Sequence, residues 1–188
     1  MPNSTFNRNF TKIRRSKKSI TDQDQIKSFL HRVPVGVLAT VFEDQPFLST
    51  KLFIYDENDH AIYLHSANEG RVYENIHLNS KVCFTAFEMG RFLPDSKASG
   101  FGVEYESVVV FGHIQVIEDQ QKMISVLQKF MDKYASHFKP GEDYLSIQIA
   151  DLQDLAVYQI GILDWSAKRD QEDIEHPGAY KYEYLGVK

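Results

Sequence analysis

Ala61-Ile62-Tyr63-Leu64-His65-Ser66-Ala67-Asn68-Glu69-Gly70-Arg71-Val72-Tyr73-Glu74-Asn75-Ile76 changes period partway along. Residues 61–65 alternate as a strand does, whereas from Glu69 the apolar positions Val72, Tyr73 and Ile76 recur at helical spacing. A strand therefore feeds directly into a short helix. Ser66 followed three residues later by Glu69 fits a capping box, which predicts a helix starting near Glu69 with its first-turn N–H groups facing back toward the strand end. With Arg71 one turn in and His65 and Ser66 beside it, this junction has the chemistry of an anion site, suited to a phosphate or a carboxylate.

Working outward, the chain before this junction reads as antiparallel structure. Thr21-Asp22 opens a helix with Gln25, Ile26, Phe29 and Leu30 on one face, which Pro34 ends. Residues 35–42 form a nearly continuous apolar run, the mark of a buried strand. Glu43-Asp44-Gln45 is a turn, and the returning strand over 47–55 sends Ser49, Lys51, Phe53 and Tyr55 to one face and Leu48, Thr50, Leu52 and Ile54 to the other. A second turn at 56–59 completes a three-stranded meander.

Downstream, residues 81–87 give a fourth strand. Residues 88–102, with Gly90, Pro94, Ser96, Ser99, Gly100 and Gly102, read as a loop long enough to be a lid. The strand over 105–117 contains Gly112, expected to mark a bulge. Residues 119–138 predict the longest helix, with Met123, Leu127, Phe130, Met131, Tyr134 and Phe138 as a core stripe. Residues 155–163 form a last strand, followed by Trp165-Ser166-Ala167-Lys168, where Trp165 either caps the barrel or stacks on a ligand. The result is a mainly β fold with flanking helices, a six-stranded antiparallel barrel. The expected domains are a basic leader over 1–18, a barrel domain over 19–170, and a tail over 171–188 that packs on the domain or a partner, its alternating Tyr180, Tyr182 and Tyr184 suited to an edge strand.

Composition narrows the function classes. The chain has 188 residues, 43% of them hydrophobic and 25% charged, which is ordinary for one globular domain. The leader carries six bases (Arg8, Lys12, Arg14, Arg15, Lys17, Lys18) and no acid, leaving 15 bases against 26 acids elsewhere, a net of −11. So acidic a body disfavours nucleic acid, and the leader reads as an end that packs on that body or on a partner rather than as an RNA or membrane arm. No apolar run approaches the roughly 18 residues of a membrane span. One cysteine, Cys83, and no secretory-type apolar segment give the expectation of a cytoplasmic protein. His60, His77, His113 and His137 have no metal-ligand spacing, so no metal site is expected.

Four segments together resemble the pyridoxamine 5'-phosphate oxidase-like flavoproteins of the FMN-binding split-barrel fold, and within them the nitroimidazole-resistance (Nim) type. They are Ser19-Ile20-Thr21-Asp22 with Val37-Leu38-Ala39-Thr40; Tyr63 to Arg71 continuing through Asn79-Ser80-Lys81-Val82-Cys83-Phe84; Tyr105-Glu106-Ser107-Val108-Val109-Val110-Phe111-Gly112; and Trp165-Ser166-Ala167-Lys168. The resemblance implies a homodimer with FMN, or alternatively FAD, in a groove between subunits. It implies Ser66 and Arg71 at the phosphate, Ser49, Thr50 and Lys51 along the flavin ring with Leu64 and His65, and Ser107, Val108, Trp165 and Lys168 closing the pocket. His65 becomes the candidate catalytic or substrate-facing group. The implied activity is NAD(P)H-linked reduction of small acceptors such as nitroaromatics or quinones, the alternative being a non-catalytic flavin- or haem-binding module. Two positions depart from the family pattern: Ala167 stands where a glycine is common, and Val72 stands where pyridoxamine phosphate oxidases place a second base, which argues against that substrate.

Overall fold

The computed structural model describes residues 10–172 and 175–181. Among them one antiparallel sheet of nine strands is wrapped by three helices: β1 (Ser19–Ile20), α1 (Gln23–Arg32), β2 (Val35–Phe42), β3 (Gln45–Leu52), β4 (Ile54–Asp56), β5 (Ala61–Ala67), α2 (Arg71–Leu78), β6 (Lys81–Leu93), β7 (Gly102–Val116), α3 (Gln120–Tyr134), β8 (Leu155–Asp170) and β9 (Tyr180–Lys181). The six long strands are those expected from the sequence. The other three are two- or three-residue strands: β4 is the far end of the strand expected over 47–55, β9 is the edge strand expected in the tail, and β1 is the one that local pattern does not announce.

Hydrogen bonding runs in the order β3-β2-β6-β7-β8-β5-β4, with β1 added to β8 and β9 to β6. The two ends of that order, β3 and β4, are consecutive in sequence, and the single residue Phe53 spans them. The sheet thus closes through the chain itself rather than through a ladder, leaving a split between β3 and β5. This architecture is a split barrel. Phe53 is fully buried, and α3 satisfies its backbone: its N–H donates to the Tyr134 hydroxyl (2.9 Å), and its carbonyl accepts from Lys133 Nζ (3.1 Å) and from the same hydroxyl (2.8 Å). Lys133 also donates to the Val33 carbonyl (3.0 Å), and burial pulls its ammonium down to about 8.

Two cores result. The barrel interior holds Leu38, Phe53, Ile62, Leu64, Phe84, Val108, Val110, Tyr158 and Ile160, and α1 buries Ile26, Phe29 and Leu30 against it. Asp22 caps that helix through its carboxylate to Asp24 N–H at 2.9 Å. The second core lies between α3 (Met123, Val126, Phe130) and the opposite side of β5 and β8 (Ala61, Tyr63, Val157). Strand alternation explains why β5 serves both: Ile62 and Leu64 face inward while Ala61 and Tyr63 face α3.

Three expectations are corrected. Residues 88–102 are not a lid: β6 and β7 stay paired from Met89↔Tyr105 out to Leu93↔Gly102, a long arm whose loop is only 94–101. The arm holds because Glu104 accepts from the Arg91 guanidinium (2.8 and 2.6 Å), from the Arg91 backbone (3.1 Å) and from Glu172 N–H (3.2 Å). The long helix ends at Tyr134, so Phe138 lies beyond it and is exposed. The segment 164–170 continues β8 rather than closing it, pairing Val110↔Trp165 and Ser107↔Lys168. The bulge expected at Gly112 is present, between Phe111 and Gly112, and a Cβ there would lie 2.3 Å from the Gly161 carbonyl oxygen.

The leader packs on the body at Lys18–Asp170 and where the Thr11 hydroxyl donates to Asp164 (3.0 Å). Tyr180 forms the edge strand read from the tail, its ring stacked on Phe92. Arg8, Tyr182 and Tyr184 lie outside the described residues.

Candidate functional site

On β3, Phe47, Ser49 and Lys51 share the face of their β2 partners Thr40, Leu38 and Gly36, the inner side of the sheet. Because β3 is an edge, this face opens at the split instead of being covered. Across the split stand the end of β5 and the start of α2. Arg71 is the first residue of α2, and its guanidinium lies 4.9 Å over the Phe47 ring. Lys51 is half-buried, which lowers its pKa. Among the described residues neither Lys51 nor Arg71 has a carboxylate partner, whereas Lys18, Lys27, Arg32, Arg91, Lys129 and Arg169 all do. Four steps along the strand carry the chain from Phe47 to Lys51, about 13 Å, so the two long cationic side chains can reach the space over Ser49 from opposite ends.

The capping box is not formed. Ser66 remains in β5, paired with Ala156, and its hydroxyl lies 3.0 Å from the Tyr158 hydroxyl. The ladder with β8 carries the strand through Ala67, and Gly70, at φ 89°, turns the chain into a helix that starts at Arg71. No side chain caps this helix, so its first-turn amides are left to solvent or a ligand. The helix is anchored from below, where buried Asn75 donates to Thr40 Oγ1 (2.9 Å).

His65 lies on the α3 side of β5, opposite Ser66, with its ring edge-on to Phe130 at 4.7 Å. Burial first, and the Lys51 charge second, lower its pKa, so the imidazole is neutral at neutral pH. Its ring nitrogens have no hydrogen-bond partner among the described residues.

The remaining candidate residues separate into two groups. Thr50, Ser107 and Lys168 sit on the outer face of the sheet, in cross-strand rows Thr50–Val37–Thr85–Val109–Ser166 and Phe87–Ser107–Lys168. Leu64 and Val108 are fully buried in the barrel and Trp165 faces inward beside them. Trp165 caps the barrel: its ring packs on His60 (4.8 Å) and Tyr55 (6.0 Å), and its indole N–H donates to Gln23 of α1 (2.9 Å). Sequence reading missed Phe47, which the alternation through Ser49 and Lys51 could have included. It also missed Tyr158, indistinguishable by pattern from a core tyrosine.

A cleft of about 290 Å³ at the base of the arm is lined by Glu88, Glu104, Glu106 and Arg169. Its carboxylates and Arg169 are engaged with one another or with Lys18, Arg32 and Arg91, which leaves Lys181 as its one lining cation without a carboxylate partner among the described residues.

An antiparallel split barrel with Ser49, Lys51 and Arg71 at its split defines the class. The chain belongs to the pyridoxamine 5'-phosphate oxidase family, whose model matches residues 22–168. Solved structures agree on the fold. The flavocytochrome Anf3 from Azotobacter vinelandii superposes with a TM-score of 0.73 at 20% identity, over 95% of this chain and 87% of that one. A protein proposed to confer 5-nitroimidazole antibiotic resistance in Bacteroides thetaiotaomicron gives 0.64 at 22% identity, over 81% and 90%. The FAD and haem binding protein from Mycobacterium smegmatis gives 0.67 at 14% identity, over 82% and 74%. No curated protein is a significant match to the chain. Among the described residues no helix is long and apolar enough to cross a membrane.

Proposed function

We propose that this chain binds FMN as a homodimer and reduces small acceptors such as nitroaromatics or quinones with electrons from NAD(P)H. The observation that carries the reading is the pair Lys51 and Arg71, two cations without carboxylate partners at either end of Ser49. These residues fit an anionic phosphate, with Ser49 and Ser66 as hydroxyl donors and the uncapped amides of α2 behind them. FAD presents phosphate oxygens too and is the second candidate. Family membership supports a flavin, as does the fold shared with proteins described as binding FAD.

The bound flavin supplies two-electron chemistry at its ring. The chain's own residues bind and orient. Lys51 and Arg71 neutralise phosphate charge, and the Phe47 ring lies beneath the Arg71 guanidinium. His65 presents a neutral imidazole whose ring N–H can donate a hydrogen bond to an oxygen of a small acceptor.

A second copy of the chain supplies the other half of the pocket. The outer face of β3, β2 and β6 is apolar and open, with Leu48 65% and Phe87 63% exposed and Val35, Leu52 and Met89 beside them. Thr50, Ser107 and Lys168 share that face, so isologous pairing carries them to the partner's groove. A second reading, a flavin- or haem-binding module without turnover, draws on the neutral His65 as a residue that would hold the iron and on the haem named for one structural neighbour.

The test is to purify the protein, add FMN, remove free ligand and record the visible spectrum, then follow NADH and NADPH oxidation with quinone and nitroaromatic acceptors. A retained flavin band with acceptor-dependent turnover is expected. No retained band overturns the flavin reading, and a band without turnover, or a Soret band with haem, favours the module. Light scattering at micromolar concentration is expected to report a dimer, and a monomer contradicts the shared site.

A further inference from the structure

The groove hydroxyl of Ser66 is tied to one buried group that the proposed function does not use. Tyr158 is wholly buried in the barrel, and among the described residues its hydroxyl has a single partner, Ser66 Oγ at 3.0 Å. A buried phenol has one hydrogen to place, and leaving it without an acceptor is costly. If Ser66 donated to Tyr158, the phenol hydrogen would have no acceptor; the satisfied arrangement has Tyr158 donating to Ser66. Ser66 must then spend its own hydrogen elsewhere. In this structure that hydrogen goes to the Ala67 carbonyl at 3.0 Å, one residue along the same strand, and this is the bond that an anion in the groove would replace.

We infer that Tyr158 is a positioning residue for anion recognition: its buried hydroxyl donates to Ser66 Oγ and fixes Ser66 as a donor toward an acceptor-only phosphate in the groove. The inference rests on the flavin-phosphate reading and deepens it. Two hydroxyls in series polarise each other, so the terminal donor is strengthened toward an ionised oxygen. Burial and the nearby Tyr73 raise the Tyr158 pKa, so the phenol keeps its hydrogen across the neutral range. A phosphate without protons can only accept, and it matches the fixed direction of the chain. The primary hydroxyl of riboflavin gains less from it.

The experiment measures dissociation constants for FMN and for riboflavin in the wild-type protein and in Tyr158→Phe, Ser66→Ala, Ser66→Thr and the Ser66→Ala/Tyr158→Phe double variant. Tyr158→Phe keeps the ring that fills the core, and Tyr158→Leu replaces it if the first does not fold. The expected result is that the preference for FMN over riboflavin falls about three- to ten-fold in Tyr158→Phe. Ser66→Ala loses at least as much, the double variant loses no more than Ser66→Ala, and Ser66→Thr retains the preference. General damage to the barrel weakens both ligands together and leaves the ratio unchanged, which overturns the inference. A wild-type protein that binds riboflavin as well as FMN overturns the phosphate reading itself, and this inference with it. A wild-type preference that survives Tyr158→Phe overturns only the role of Tyr158.

Discussion

Replacing Tyr134 by Phe removes one oxygen from the point where the barrel changes direction. That hydroxyl accepts the Phe53 N–H at 2.9 Å and lies 2.7 Å from the Pro34 carbonyl and 2.8 Å from the Phe53 carbonyl, one of which takes its hydrogen. In Tyr134→Phe the Phe53 carbonyl keeps Lys133, but the Phe53 N–H, on a fully buried residue, loses its acceptor. An orphaned buried donor costs about 1–3 kcal/mol, and about 2 kcal/mol is taken here because the ring and its packing remain. For a chain of this size that is a fall of about 4–8 °C in Tm. Urea unfolding is the assay, with a lower midpoint and an unchanged slope expected. Tyr144→Phe, whose hydroxyl meets only Gln128 at 3.0 Å near the surface, is the control and is expected within about 0.5 kcal/mol of wild type. Since Phe53 fixes β3 relative to β4 and β5, Tyr134→Phe is also expected to speed loss of a ligand from the split. A variant as stable as wild type would refute the view that α3 pins the closure.

Two further perturbations separate site from scaffold. Arg71→Ala and Lys51→Ala are each expected to weaken FMN binding by about 1.5–3 kcal/mol, the value of a charge-assisted contact, with little effect on riboflavin, measured by fluorescence titration. Glu104 has its carboxyl held down to about 2 chiefly by the Arg91 guanidinium, so the folded protein resists the proton that the unfolded chain takes up near 4.5. The stability it contributes is complete above pH 4.5 and is lost as pH falls toward 2. Glu104→Gln is therefore expected to destabilise the arm by about 1–3 kcal/mol at pH 7 and hardly at all near the acid limit, followed by unfolding at both pH values.

What was legible in the sequence depended on whether local pattern or distant pairing decided. Strand β2 was read at its observed limits because Pro34 and the turn at Glu43 and Asp44, both at positive φ, bracket an apolar run. The arm was misread because Gly90 looks like a loop residue. It is a glycine because Glu104 lies against it, a Cβ there falling 2.7 Å from the Glu104 Cβ. Ser66 and Glu69 match a cap by spacing, yet the ladder to β8 and the Tyr158 hydroxyl, some ninety residues away, hold Ser66 in the strand. Trp165 could be settled only by its register opposite Val110, which turns it inward. The face shared by Ser49 and Lys51 was legible because alternation along one strand sets it, and the place of Arg71 because the change from strand to helical period puts it in the first turn. That these cations lack carboxylate partners is a fact of the assembled fold, beyond the reach of residue spacing.

The most direct test is a crystal structure of the protein with FMN. The account predicts a dimer with the phosphate in the split, within hydrogen-bonding distance of Lys51 and Arg71, and Thr50, Ser107 or Lys168 of the second copy facing the same flavin. A phosphate bound elsewhere, with Lys51 and Arg71 both turned to solvent, would contradict it.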